Sequence, residues 1–111
     1  MVIKEEIHKK QKVFLSLCKK HKVKYLYAFG SSVTGNFDEG KSDIDLLVEI
    51  DISEPIERGE TLLSLWDRFE AFFNRRVDLL TESSIRNPFL RKCIDSTKVL
   101  IYDGSGEKIF I

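Results

Sequence analysis

Asp43 and Asp45 stand two residues apart in the most regular alternation of the chain, Asp43-Ile44-Asp45-Leu46-Leu47-Val48-Glu49-Ile50. In an extended strand successive side chains leave opposite faces. This spacing therefore puts both carboxylates on one face and turns Ile44, Leu46 and Val48 toward a core. Their β-carbons then lie roughly 6–7 Å apart, twice the rise per residue. Carboxylates at that separation can converge on one hard cation or on a pair of them. Asp78 repeats the arrangement between Val77 and Leu79. With the two strands as neighbours, three carboxylates share one edge of the sheet, and a divalent cation relieves their repulsion. Mg²⁺ is the natural choice, because it takes oxygen ligands and is usually held by few carboxylates together with substrate phosphates. Upstream, Gly30-Ser31 closes a β-rich run. Glycine lets a polyphosphate approach the backbone, Ser31 can offer its hydroxyl, and the amides from Ser31 to Ser32 can face phosphate oxygens. No Gly-Lys-Ser/Thr follows, so this is not a P-loop. Taken singly, Asp-x-Asp is an exposed polar face and Gly-Ser a capped turn; the constellation is more specific than its parts.

The elements that must position these groups follow from periodicity. Residues 2–21 read as one helix, with Ile3, Ile7, Phe14, Leu17 and Cys18 as its apolar stripe and lysines on the solvated face. Val23–Phe29 reads as a strand, then a polar Gly-containing loop runs to Ser42, with at most a short helical turn at its start. Asp43–Ile50 is a strand. Pro55 suits a helix start, and that helix runs to about Phe73. Val77–Thr81 is a third strand. Ser83 or Ser84 can cap a short helical turn, and Pro88 opens a helix to about Asp95. Val99–Tyr102 is a last core strand, followed by a turn at 103–106 and a hairpin return over Ile109–Ile111. This order predicts an α+β fold, a small mixed sheet with helices packed on one face.

The 111 residues make one domain, 1–111. Eighteen basic and eighteen acidic residues cancel, which argues against a generic nucleic-acid binder. No apolar run is long enough to span a bilayer and no signal pattern follows Met1, so no membrane partner and a cytoplasmic location are expected. Cys18 and Cys93 both fall in apolar helical patterns and read as buried reduced thiols. Phe89 reads as core. Phe37 and Phe110 are candidates for an exposed partner surface. His8 and His21 lack metal-ligand spacing and read as surface or helix-end residues.

Phe29-Gly30-Ser31, Ser42-Asp43-Ile44-Asp45-Leu46-Leu47-Val48 and Val77-Asp78-Leu79-Leu80-Thr81 together resemble the minimal nucleotidyltransferases (MNT) of the polymerase-β-like superfamily. The stretch from Ile85-Arg86-Asn87-Pro88-Phe89-Leu90-Arg91 to Ile101-Tyr102 also resembles that family, so the likeness covers roughly residues 23–102. The resemblance implies the polymerase-β-like fold. It also implies Gly30, Ser31 and Ser32 at the triphosphate of ATP or another nucleoside triphosphate. Asp43 and Asp45 would be metal ligands, and Asp78 would complete the site and assist deprotonation of an acceptor hydroxyl. It implies Mg²⁺ as cofactor. It further implies transfer of a nucleoside monophosphate, AMP above all, to a tyrosine of a HEPN toxin, as the antitoxin of a type VII toxin–antitoxin module. The oligomeric state, homo- or hetero-, is left open. Family members often carry arginines just after Gly-Ser, where this chain has Ser32, Val33 and Thr34 before Gly35, and the loop from Ser31 to Asp43 is one residue longer than usual. Lys41, Arg75 and Arg76 are the candidate substitutes for those cations, with ordinary surface charge as the plainer reading. The missing arginines also admit a binding module that keeps the fold and neutralises a HEPN partner by contact alone.

Overall fold

A computed structural model describes residues 2–33 and 43–111. Two short helices, α1 (Val2–Lys9) and α2 (Gln11–Lys20), lead into β1 (Val23–Ala28) and a 3-10 turn at Gly30–Ser32. Then come β2 (Ile44–Ile50), the long helix α3 (Pro55–Phe73), β3 (Val77–Leu80), a second 3-10 turn at Glu82–Ser84, α4 (Pro88–Thr97), β4 (Val99–Asp103) and β5 (Lys108–Ile109). The five strands form one sheet in the order β3-β2-β1-β4-β5. Among the described residues only β2 and β3 run parallel, as their connection through a whole helix requires.

The expected α+β mixed sheet is present, and the elements fall close to where periodicity put them. One expected helix is two. Lys10 leaves helical geometry (φ −135°, ψ 49°) and separates α1 from α2. Its ammonium instead reaches the carbonyl of Phe72 at 3.1 Å and lies over that ring, 4.5 Å from its centre, where a cation suits the C-terminal end of α3. Helices α3 and α4 begin as their sequences dictate. Glu54 accepts from the amides of Ile56 and Glu57 ahead of Pro55, and Asn87 accepts from those of Phe89 and Leu90 ahead of Pro88. Asn74, in the left-handed region at φ 53°, ends α3.

The main core lies between the sheet and α1–α3. Leu26, Ala28, Leu46, Val48, Val77 and Leu79 meet Ile3, Ile7, Phe14, Leu65 and Phe69 there. Phe14 sits at its centre, with ring centroids 5.5 Å from Phe72 and 6.1 Å from Phe69. The opposite face carries a smaller cluster in which Ile94 and Leu90 of α4 cover Phe29, Leu47 and Leu80. So α1–α3 occupy one face, and among the described residues α4 is the helix on the reverse. The cysteines divide: Cys18 is buried, and burial pushes its thiol up, whereas Cys93 is exposed on α4. Phe89, expected in the core, is 83% exposed, because α4 turns Leu90 and Ile94 inward from a neighbouring angle. His21 ends α2 as expected, yet it is buried, bonding the Leu17 carbonyl through Nδ1 and Ser64 through Nε2. Phe37 lies outside the described residues, and Phe110 is half-exposed.

The turn after β4 is pinned to the start of β1 by the Gly104 amide, which donates to the Lys24 carbonyl at 2.8 Å. A β-carbon at position 104 would run into the Val23 carbonyl oxygen. Gly104→Ala is therefore expected to push β4–β5 off β1 at a cost of about 1–3 kcal/mol, as for other overpacked positions. A urea unfolding curve checks this through a lowered midpoint at unchanged slope.

Candidate active site

The backbone of Asp45 is gripped from both sides. Its carbonyl accepts from the Phe29 amide at 3.2 Å, and its own amide donates to Ser32 Oγ at 2.8 Å. These contacts fix the 3-10 turn after β1 against the start of β2. Ile44 and Leu46, fully buried on the other face, anchor the strand so that the Asp45 side chain leaves toward the turn. On the far side the parallel register of β2 and β3 pairs Asp45 with Asp78 and Ile44 with Val77. Asp43 immediately precedes β2 and lies on the same side by alternation.

Gly30 closes the corner. Its φ of +62° lies in the left-handed region, and a β-carbon there would stand 3.1 Å from Asp45 Oδ2. The glycine therefore answers two demands at once, an unusual backbone angle and space beside a carboxylate. Its amide donates to Thr97 Oγ1 at 2.9 Å, and that hydroxyl donates to the Cys93 carbonyl at 2.7 Å. The last turn of α4 thus braces the loop.

Asp45 is half-buried, and its carboxyl is pushed up from 3.8 to about 6. Burial is the largest cause, followed by the charge of Asp78 and then that of Asp43. The charges of two aspartates thus bear on Asp45, with Asp78 exposed at the sheet edge and Asp43 half-buried. They are not drawn into a closed ligand set: among the described residues no three His, Cys, Asp or Glu side chains form a ready-made metal site.

The remaining expected site residues divide. Gly30 and Ser31 lie on the turn beside Asp45. Ser32 is buried, and its hydroxyl is occupied by the Asp45 amide, so its place is beneath the site. Arg75 and Arg76 lead into β3, where the Arg76 carbonyl accepts from the Ile44 amide. Lys41, Ser42 and the loop from Thr34 lie outside the described residues. Thr97 was not legible from sequence. It lies 67 residues from Gly30, at the end of a helix whose pattern gives a Thr no special meaning. Thr97→Val leaves the Gly30 amide without its acceptor, a cost of about 1–3 kcal/mol, and, with the triphosphate on this turn that the family resemblance implies, is expected to weaken nucleotide binding. Thr97→Ser keeps the hydroxyl and the affinity. Calorimetric titration with a non-hydrolysable nucleotide distinguishes the two.

The sequence matches the nucleotidyltransferase domain family over residues 10–101. The chain belongs to that family. A curated relative from Methanocaldococcus jannaschii, assigned as a protein adenylyltransferase, is 36% identical over 99 residues, covering 89% of this chain and 94% of its own. A solved structure described as a minimal nucleotidyltransferase superposes with a TM-score of 0.58 at 28% identity, covering 86% of this chain and 92% of that one. A chain from the structure of a tri-AMPylated Shewanella oneidensis HEPN toxin in complex with an MNT antitoxin superposes with a TM-score of 0.51 at 21% identity, covering 96% and 76%. That last likeness concerns the fold. The nucleotidyltransferase described here thus has the α+β architecture of the minimal members, with the Gly-Ser turn and the aspartates at one corner of the sheet.

Proposed function

We propose that this nucleotidyltransferase is a Mg²⁺-dependent protein adenylyltransferase. It would transfer AMP from ATP to a tyrosine hydroxyl of a HEPN-domain toxin, as the antitoxin of a type VII module. The observation that carries this reading is the half-buried Asp45 carboxyl, crowded by Asp78 and Asp43 beside a glycine that leaves room at its Oδ2. A carboxylate raised by burial and like charge gains most from a hard cation, and oxygen donors are what Mg²⁺ takes. Asp45 and Asp43 would hold it, with Asp78 alongside. Few protein ligands with substrate phosphates completing the shell is the usual arrangement for this ion. When bound, the ion supplies charge neutralisation at the attacking and leaving oxygens.

The chain's own groups do the rest. Gly30 and Ser31 seat the triphosphate against the turn. Ser32 and Thr97 hold that turn fixed from below, so that little reorganisation is needed during reaction. The acceptor oxygen attacks the α-phosphorus, and one P–O bond forms as the bond to the β-phosphate oxygen breaks. Pyrophosphate leaves, and Asp78 takes the hydroxyl proton. The name assigned to the archaeal relative and the AMPylated toxin in the structural neighbour support the adenylyl group and the protein acceptor.

A second reading, a contact-only neutraliser, is favoured by the residues that follow Gly30-Ser31. Ser32, Val33 and Thr34 bring no cation to the phosphates. Incubation with α-labelled ATP, Mg²⁺ and the HEPN partner separates the two. Label appearing on the partner supports transfer, and loss of toxin activity without label supports the contact-only module.

A further inference from the structure

The neutral sum of charge hides a strong division. The first 24 residues hold eight lysines against two glutamates, so the rest of the chain is acidic to the same extent. All eight lysines are exposed. Between α2 and α3, on the outer side of the helical layer, runs a groove of about 400 Å³. Val13 and Leu17 form its floor, and Lys12, Lys20 and Arg68 its rim, with no acidic residue lining it. Val13 is 55% exposed. None of the three rim cations has an ion pair among the described residues.

The same layer carries the complement. Along α3, Ile56, Glu60, Leu63 and Asp67 follow the spacing i, i+4, i+7, i+11, which at about 100° per residue gathers them within one narrow stripe. Ile56 is 72% and Leu63 70% exposed, and Glu60 and Asp67 are exposed between them without an ion pair among the described residues. The stripe points straight out to solvent. Arg68 lies about 100° around the helix from Asp67, toward α2. Ridge and groove therefore lie side by side on one surface.

We propose that two copies of this chain associate face to face through their α2–α3 layers. The acidic, apolar ridge of each α3 seats in the basic, apolar-floored groove of the other. A twofold axis lying in the interface, between ridge and groove and along the helices, makes both contacts at once and closes the assembly at two. The occupant is a second copy because this chain itself supplies the matching sign, the matching apolar stripe and the matching position. The one ring lining the groove, that of His21, is buried, so the groove presents no open aromatic face for nucleic acid to stack on. The candidate active site lies beyond the sheet from this surface, so association leaves it open and depends on no reading of its chemistry.

Light scattering on a sizing column at hundred-micromolar protein and low salt tests the assembly. The wild-type chain is expected to run as a dimer that weakens as salt rises. Lys12→Glu with Lys20→Glu makes groove and ridge both acidic. Glu60→Lys with Asp67→Lys makes both basic. Each double variant alone is expected to raise the dissociation constant at least about tenfold, since several exposed ion pairs become repulsions. An equimolar mixture of the two variants restores both contacts and returns a one-to-one dimer. All four positions are exposed, and circular dichroism verifies that each variant keeps its fold. A monomeric wild type, a dimer unmoved by either pair of reversals, or a mixture that stays monomeric overturns the proposal and leaves the groove to a different protein.

Discussion

Asp45→Asn is expected to reduce adenylyl transfer by on the order of 10³-fold and, in the same molecule, to raise the stability of the metal-free fold. The loss follows from removing the carboxylate nearest the Gly30 corner, whose charge would hold the cation at the reacting phosphate. The gain follows from the pKa. Asp45 is raised from 3.8 to about 6 in the folded chain. The folded state therefore holds this proton more tightly than the unfolded state. The associated stability is fully present below about pH 4 and is lost as pH rises through about 6. Above pH 7 the folded chain carries a half-buried anion beside two others, and Asn removes that penalty. Because the group is half exposed, solvent screening trims the gain to roughly 1 kcal/mol. Melting curves of the metal-free chain at pH 5 and 7.5 check the sign. The wild type should lose more stability over that interval than Asp45→Asn. Mg²⁺ with nucleotide should raise the wild-type Tm at pH 7.5 and leave the variant unmoved. Equal pH dependence in both chains would detach the raised pKa from this carboxylate, and full transfer activity in the variant would detach Asp45 from the chemistry.

The two kinds of signal in this chain differ in how far sequence alone could carry them. The alternation around Asp43 and Asp45 fixes a strand and a face, because a period of two admits one reading when Ile44, Leu46 and Val48 must all be buried. Asp78 was legible for the same reason, and the parallel pairing then set it opposite Asp45. The break at Lys10 was not legible, because the apolar stripe Ile3, Ile7, Phe14, Cys18 stays in helical phase across it. The contacts that go with the break, from the Lys10 ammonium to the Phe72 carbonyl and ring, lie 62 residues away in sequence. Phe89 was misplaced because α4 is short and capped at Asn87, so a one-residue change in facing separates the buried Leu90 side from an exposed Phe. Ser32 was legible as a residue of the turn, but its bracing bond was hidden, as was that of Thr97, for a related reason. A hydroxyl bonded to a backbone amide 13 or 67 residues away leaves no local pattern.

Gly30→Ala should be the second most damaging exchange, and it separates position from charge. The substitution leaves all three aspartates in place. It adds one methyl group at φ +62°, where a β-carbon costs about 1–2 kcal/mol. That methyl stands 3.1 Å from Asp45 Oδ2, so either the carboxylate or the turn must give way by a few tenths of an ångström. The backbone that carries the carboxylate is fixed by Phe29 on one side and Ser32 on the other, so the Asp45 side chain must rotate away from its place at the corner if the turn does not move. The turn is held by Thr97. The methyl also occupies the approach through which a phosphate would reach the backbone. Transfer is therefore expected to fall by about a hundredfold, a typical loss for one misplaced electrostatic element, while Tm drops only modestly. Parallel nucleotide titrations separate the causes. Weakened binding with an intact fold places the damage at the phosphate seat. Unchanged affinity and unchanged transfer would show that the turn does not meet the nucleotide, leaving Gly30 as a backbone requirement alone.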